Sequence, residues 1–116
     1  MRSKIPGNHP LRGDLWSVAL DPTVGSEIAK TRPCLVVSTN AANEHRRTVV
    51  VIPLSSSPSA HPPITVTVEC EGVSSVAVVD RIRAISKHRL LRRIGPAKAG
   101  EFEGVESALR QVLELG

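Results

Sequence analysis

Short apolar segments with a two-residue period, separated by turn-forming residues, constrain this chain more than any other feature. In residues 15–20, Trp16, Val18 and Leu20 alternate with Leu15, Ser17 and Ala19. A period of two is that of a strand, because successive side chains leave opposite faces of the backbone. CLVVS (34–38) and VVVIPL (49–54) are apolar at nearly every position, as in strands buried on both faces. ITVTV (64–68) alternates cleanly, which points Ile64, Val66 and Val68 inward and both threonines outward. VAVVD (76–80) runs straight into RIRAI (81–85), where Arg81, Arg83 and Ile85 face opposite to Ile82 and Ala84. Turn signals divide the pieces: Asp21-Pro22 with Gly25, residues 40–43, SSSPSAHPP at 55–63, and Glu71-Gly72. Short strands at such spacing predict a small barrel or a strongly curved sheet.

The C-terminal stretch changes period. Phe102, Val105, Leu109, Val112 and Leu113 recur at helical spacing, and Glu101 and Glu103 suit the first turn of a helix dipole. This predicts an amphipathic helix over 99–115 laid on the sheet, hence a mainly β, α+β fold. A chain of 116 residues is expected to form a single domain, 1–116, with residues 1–11 as a flexible N-terminal extension. MRSKIPGNHP has no apolar core of the secretory type, and VVVIPL is far too short to span a bilayer. A cytoplasmic protein without a membrane association is the expectation. Cys34 and Cys70 have no CxxC or Cys/His companion at metal-ligand spacing, so both are expected as small buried hydrophobes.

The net charge of +4 matters less than its distribution. Between residues 81 and 100 lie Arg81, Arg83, Lys87, Arg89, Arg92, Arg93 and Lys98, with no acid after Asp80 and before Glu101. Such a block fits a polyanion or an acidic protein tail, and equally a solvated charged face. Trp16 and Phe102 are the only Phe, Trp or Tyr residues and both fall at core-like positions. Nucleic-acid binding would then depend on arginine, lysine, hydroxyls and main chain rather than on stacking.

No single motif here proves catalysis. DPTVGSEIAKTRP (21–33) reads as a long polar connection holding Ser26, Glu27, Lys30 and Arg32, a high density of chemical groups for a loop. Pro33 pushes Arg32 toward an extended conformation at the start of a strand, leaving its guanidinium available for an anion or for a structural carboxylate. Ser55, at the end of the 49–54 strand, is placed to donate to a phosphate oxygen or to cap a turn. The four histidines at 9, 45, 61 and 88 show no triad logic, and no phosphate-loop or GxGxxG motif is present.

Taken together, GDLWSVALDPTVGSEIAKTRPCLVVS, VVVIPLSS and VVDRIRAISKHRLLRRIG with a short terminal helix resemble the MazF/PemK ribonuclease toxins over about residues 12–115. The resemblance implies an SH3-like barrel of the MazF/CcdB kind and a homodimer. It implies an endoribonuclease, an mRNA interferase that cuts single-stranded RNA without metal or cofactor. The family's catalytic arginine matches Arg32, its partner hydroxyl Ser55, and its loop pair Ser26 and Glu27. Glu27 stands as the candidate base and Asp80 as the other. Ser26, Lys30, Thr31, Ser56, Asp80, Arg81, Arg83 and Lys87 form the implied RNA-contacting set. The implied protein partner is the acidic C-terminal segment of a MazE-like antitoxin. The chain departs from the family at Arg81, where many members have Gln, at Ser86, where many have an acid, and at Val78, where some have Arg. Two rival readings are a CcdB-type DNA gyrase poison and a non-catalytic RNA-binding module. The gyrase activity resides in C-terminal aromatic and hydrophobic residues, whereas this chain ends RQVLELG without Trp.

Overall fold

The computed structural model describes residues 9–21, 30–56 and 60–116. Residues 1–8 of the expected extension, and Ser26 and Glu27 of the polar connection, lie outside the described residues. The alternating segments form strands β1 (Asp14–Asp21), β2 (Lys30–Val36), β3 (Thr48–Ser55), β4 (Thr65–Cys70), β5 (Val73–Val78), β6 (Arg83–Ser86) and β7 (Leu90–Pro96). Two helices, α1 (Asn40–His45) and α2 (Ala99–Val112), and two 3-10 turns, Val79–Arg81 and Lys87–Arg89, complete the described elements. The strands pair antiparallel in the order β4-β5-β3-β2-β1-β7, with β6 also on β3.

β3 is the pivot of the sheet. One edge pairs with β2, setting Cys34 opposite Pro53, Leu35 opposite Ile52 and Val36 opposite Val51. The other edge is shared: residues 48–51 pair with β6, residues 54–55 with β5. Pro53 stands at the handover. The Val37 N–H donates to the Val50 carbonyl at 3.0 Å. By strand alternation the Pro53 nitrogen therefore faces away from β2, toward the gap where no ladder bond is lost. A proline inside a central strand is tolerated here because the sheet divides at that point.

The two outer strands, β4 and β7, come together through side chains. Arg92 pairs with Glu71 at 3.1 Å and Lys98 pairs with Glu69, so the sheet curls toward closure. The Glu69 N–H donates to the Glu101 carboxylate of α2 at 3.0 Å, which covers an otherwise open edge. At the β4–β5 turn Glu71 (φ 53) and Gly72 (φ 78) are both left-handed, the conformation that a two-residue hairpin needs.

Apolar side chains fill both faces. One cluster joins Leu15, Leu35, Ile52, Leu54, Val68, Ala77 and Val79 to Val105 and Ala108 of α2, with Phe102, Leu109 and Val112 packed against it. Fully burying a side chain such as Val105 contributes roughly 1.5–3 kcal/mol. The second cluster holds Val18, Cys34, Val36, Val49, Val51 and Ile85. Gly13 (φ 93) turns the chain into β1 and sets Asp14, whose buried carboxylate accepts both Arg93 bonds at 2.9 Å and the Leu11 N–H at 3.1 Å. Pro10 is fully buried.

The structure corrects five local expectations. Residues 40–43 are not a plain turn but open α1, where Thr39 accepts from the Ala42 N–H at 3.3 Å and buried Asn43 donates to the Ser38 carbonyl at 3.0 Å. Ile64 is 42% exposed rather than inward, and Thr65 is buried rather than outward. The strand begins only at Thr65, because the His61 carbonyl holds the Ile64 and Thr65 N–H groups in a turn. Residues 76–85 are not one run, since a 3-10 turn at Val79–Arg81 passes the chain from β5 to β6. The polar connection is shorter than 21–33, because β1 reaches Asp21 and β2 already includes Lys30. α2 ends at Val112, which leaves Leu113 50% exposed. Both cysteines are free and buried, as their isolation in the sequence implied. Among the described residues no helix is long and apolar enough to cross a membrane.

Candidate active site

Side chains two residues apart on a strand share a face. Arg32 therefore belongs with Cys34 and Val36 on β2, Ser55 with Val51 on β3, and Arg83 with Ile85 on β6. All lie on the face opposite α2, whose floor is the second apolar cluster. Arg32 stands opposite Val18 of β1, and Arg83 opposite Val51 of β3. Ser55 closes β3 opposite Val76 of β5. Continued two residues past the Cys34–Pro53 pair, the β2–β3 register sets Arg32 across from Ser55.

Burial and charge at this face follow from the same strands. Pro33 holds Arg32 extended within β2, and both Arg32 and Ser55 are half-buried while Arg83 is exposed. Beneath them the Cys34 thiol is fully buried, which pushes its pKa up to about 12 although Arg83 and Arg32 pull the other way. Two properties follow. The thiol stays protonated and is no nucleophile. Both guanidiniums also lie close enough for their charge to reach the same sulfur, so two cations flank one dry floor. At its border the Trp16 indole Nε1 is buried without a hydrogen-bond partner among the described residues.

The remaining sequence candidates are spread around this face. Lys30 opens β2. Thr31 is exposed opposite Ala19, and alternation puts it on the other side of β2 from Arg32. Ser56 is exposed just beyond β3. Asp80 and Arg81 are exposed in the Val79–Arg81 turn between β5 and β6. Lys87 is half-buried in the Lys87–Arg89 turn that follows β6. Among the described residues no three His, Cys, Asp or Glu side chains gather as a metal-binding group. What the described residues of this face offer is cationic forks and a hydroxyl above a buried, protonated thiol, a set suited to holding a phosphodiester.

The basic block divides in two. Arg93 grips Asp14, Arg92 pairs with Glu71, and Lys98 pairs with Glu69. Arg89 donates to the Ala19 and Leu20 carbonyls at 3.1 and 3.0 Å. Those carbonyls sit at the register shift between Ala19 and Asp21, where β1 loses its regular pairing with β2. The sequence reading missed β7 and these structural roles. LLRRIGP has neither a strand's nor a helix's apolar period, and its only signal was arginine spaced against acids far off in the chain.

Comparison with known proteins places these features in a wider set. The chain matches the family described as PemK-like, MazF-like toxin of type II toxin–antitoxin system over residues 11–113. It is 35% identical over 113 residues to a Mycobacterium tuberculosis protein named Endoribonuclease MazF9, covering 90% of this chain and 96% of that protein. The crystal structure of MazE-MazF (Form-II) from Deinococcus radiodurans superposes with a TM-score of 0.81 at 28% identity, covering 92% of this chain and 97% of the other. An endoribonuclease in complex with its cognate antitoxin from mycobacterial species gives a TM-score of 0.75 at 26% identity, covering 94% and 97%.

Proposed function

The chain belongs to the PemK-like, MazF-like family of type II toxins, and on that premise we propose that it is an endoribonuclease toxin that cuts single-stranded RNA at the face carrying Arg32 and Ser55. One observation carries the assignment to this face: strand alternation puts Arg32 of β2 and Ser55 of β3 on the side of the sheet floored by the second apolar cluster. Both residues are the ones that match the family's catalytic positions.

The reaction is an internal transesterification. The ribose 2′-oxygen attacks the adjacent phosphorus as its proton passes to a base, and the bond from phosphorus to the 5′-oxygen breaks. The products are a 2′,3′-cyclic phosphate and a 5′-hydroxyl. The substrate brings its own nucleophile, which agrees with a face whose one thiol is buried and protonated. What the protein must do is stabilise charge on the phosphorane and move a proton. Arg32 supplies a fork of donors that never loses its charge, bonded to two phosphoryl oxygens in the transition state. It also stands ready to protonate the departing 5′-oxygen. Ser55 donates to a non-bridging oxygen. Glu27 is the base, and Asp80 is the alternative. Ser26, Lys30, Thr31, Ser56, Arg81, Arg83 and Lys87 contact the strand.

An antitoxin is the protein partner that the family match supports. We further propose that it inserts an acidic MazE-like segment, that the toxin acts as a homodimer in the cytoplasm, and that the chain forms one domain. The gyrase-poison reading is not favoured, since the relative matched over nearly its whole length is named an endoribonuclease.

Incubation with a long unstructured RNA, and with DNA of the same sequence, in excess EDTA tests this reading. The expected result is fragments from RNA alone, ending in cyclic phosphate and 5′-hydroxyl. RNA left intact, with and without magnesium, overturns it in favour of a non-catalytic binding module.

A further inference from the structure

Among the described residues β4, β7 and β6 each have an outer edge without a strand beside it. The edges of β4 and β7 face each other and are occupied by side chains. Glu69 and Glu71 pair with Lys98 and Arg92, and the Glu69 N–H donates to the Glu101 carboxylate at 3.0 Å. β6 is different, and two hydrogen bonds fix which of its main-chain groups point outward. The Lys87 N–H donates to the Arg47 carbonyl at 2.9 Å, one step beyond the Thr48–Ser86 pair. Residues 83, 85 and 87 therefore turn their main chain toward β3. The Val37 N–H donates to the Val50 carbonyl at 3.0 Å, so Val50 faces β2 and leaves Ala84, its partner across the β3–β6 ladder, unbonded on that side. Both bonds place the Ala84 N–H and C=O, with the Ser86 N–H, on the outer edge. Ala84 is exposed, and among the described residues no loop or turn bonds its main chain.

Unpaired N–H and C=O groups on an exposed edge are a template for another strand. The charges around this edge decide which one. Arg46, Arg47 and Arg81 are exposed and Lys87 is half-buried, and none is in an ion pair with a described acid. No acid lies between Asp80 and Glu101. A second copy laid edge to edge would set one basic stretch against another, and like charges directly opposite destabilise a strand pair. An RNA backbone offers phosphate acceptors without the alternating amide donors that the C=O groups need. We propose that β6 accepts an extended acidic segment of a protein partner as an added strand, bonded through main chain to Ala84 and Ser86. Its carboxylates lie on the Ile85 side of the sheet, the side of Arg47, Lys87 and the second apolar cluster. The added strand thus borders the face that carries Arg32 and Ser55. The proposal rests on the reading that this chain is a toxin held by an acidic antitoxin, and it gives that segment a place.

The test uses the full chain and a labelled peptide of alternating glutamate and valine, about eight residues long. Fluorescence anisotropy should show binding, and amide exchange read by NMR should slow at Ala84 and Ser86. Ala84→Pro removes the outward N–H and leaves the ladder to β3 intact, the setting in which an edge strand tolerates proline. It is expected to weaken peptide binding about tenfold, with melting temperature and RNA cleavage at wild-type values. A second measurement leaves the protein unaltered. With glutamates on the Ile85 side, the valine N–H groups are the ones that meet β6. N-methylation of the valines should then cost about tenfold in affinity, and N-methylation of the glutamates little. Equal binding to wild type and Ala84→Pro, or equal effects of the two methylations, means attraction by charge alone and overturns the added strand. So does absence of binding at low salt. Slowed exchange at Ala84 with a 2′-O-methylated RNA in place of the peptide gives the edge to RNA and also overturns it. An edge-bound peptide on a protein that leaves ordinary RNA intact removes the cleavage reading and keeps the docking edge. Cleaved RNA with unmoved exchange at Ala84 does the reverse.

Discussion

In β7 and its flanks every cation is engaged within the molecule. Arg89 holds two β1 carbonyls, Arg92 and Lys98 draw β7 to the β4 hairpin, and Arg93 grips buried Asp14. In β6 and its flanks the cations border the face that carries Arg32 and Ser55, and Arg81 and Lys87 are in no ion pair with a described acid. The two limbs are neighbours in the chain and nearly equal in charge. The difference lies in what each strand runs beside. β7 lies against β1 and near the acids of the curled sheet's other end, while β6 is an edge strand on β3. A basic stretch is therefore not one object. Part of it holds the barrel together and part borders the face that carries Arg32 and Ser55.

Mutation can separate these uses. The largest effect is expected at Arg32→Ala: a loss of roughly 10²–10³ in single-turnover cleavage, the scale for removing one preorganised donor, with an unchanged melting temperature. If the rate falls only as far as the fold does, Arg32 is a structural arginine like Arg93. Next comes Arg93→Ala, which leaves the Asp14 carboxylate buried without its fork. Chemical denaturation should show a loss of about 1–3 kcal/mol, while cleavage by the folded fraction stays at the wild-type rate. Adding Asp14→Asn should recover part of that loss, because the unpaired charge is what costs stability.

Two smaller effects are read from pH. The Cys34 thiol titrates near 12 in the fold against an ordinary 9.0, so the native state keeps a proton that the unfolded chain gives up. Its contribution is intact below pH 9.0 and is lost as pH rises toward 12, by about 1.4 kcal/mol for each pH unit within that window. Cys34→Ala should flatten the decline in stability between pH 9 and 10 relative to wild type; parallel curves would mean that the thiol is not shielded beneath Arg32 and Arg83. The smallest effect belongs to the barrel seam. Pairing with Glu69 raises Lys98 above its ordinary 10.5, so its contribution persists below that value and fades above it. The difference in melting temperature between wild type and Lys98→Met is expected to be small and to vanish at higher pH, since the lysine is fully exposed.

Much of the fold was legible because it is periodic. Two-residue alternation marked β1 and β4, continuous apolar runs marked β2 and β3, and the change to helical spacing marked α2. The family motif singled out Arg32 and Ser55 before any register was known. Three things were not legible. β7 carries too few apolar residues for either period, since its arginines face partners instead of solvent. The break at Val79–Arg81 was hidden because an apolar run looks alike whether it continues along one strand or passes between two. Asn-rich 40–43 reads as a turn until Thr39 caps it and Asn43 buries its amide against Ser38.

By itself, the sequence determined where most of the strands and the terminal helix form, which family pattern the chain carries, and which residue types are available for phosphate chemistry. These are local properties, set by side-chain period, turn chemistry and motif order within a window of a few residues. Tertiary structure alone decided which cations are structural and which border the site. Arg93 finds Asp14 at 79 positions' separation, Lys98 finds Glu69 at 29, and Arg92 finds Glu71 at 21. Pairings of that range exist only once the sheet has curled and brought its two outer strands together.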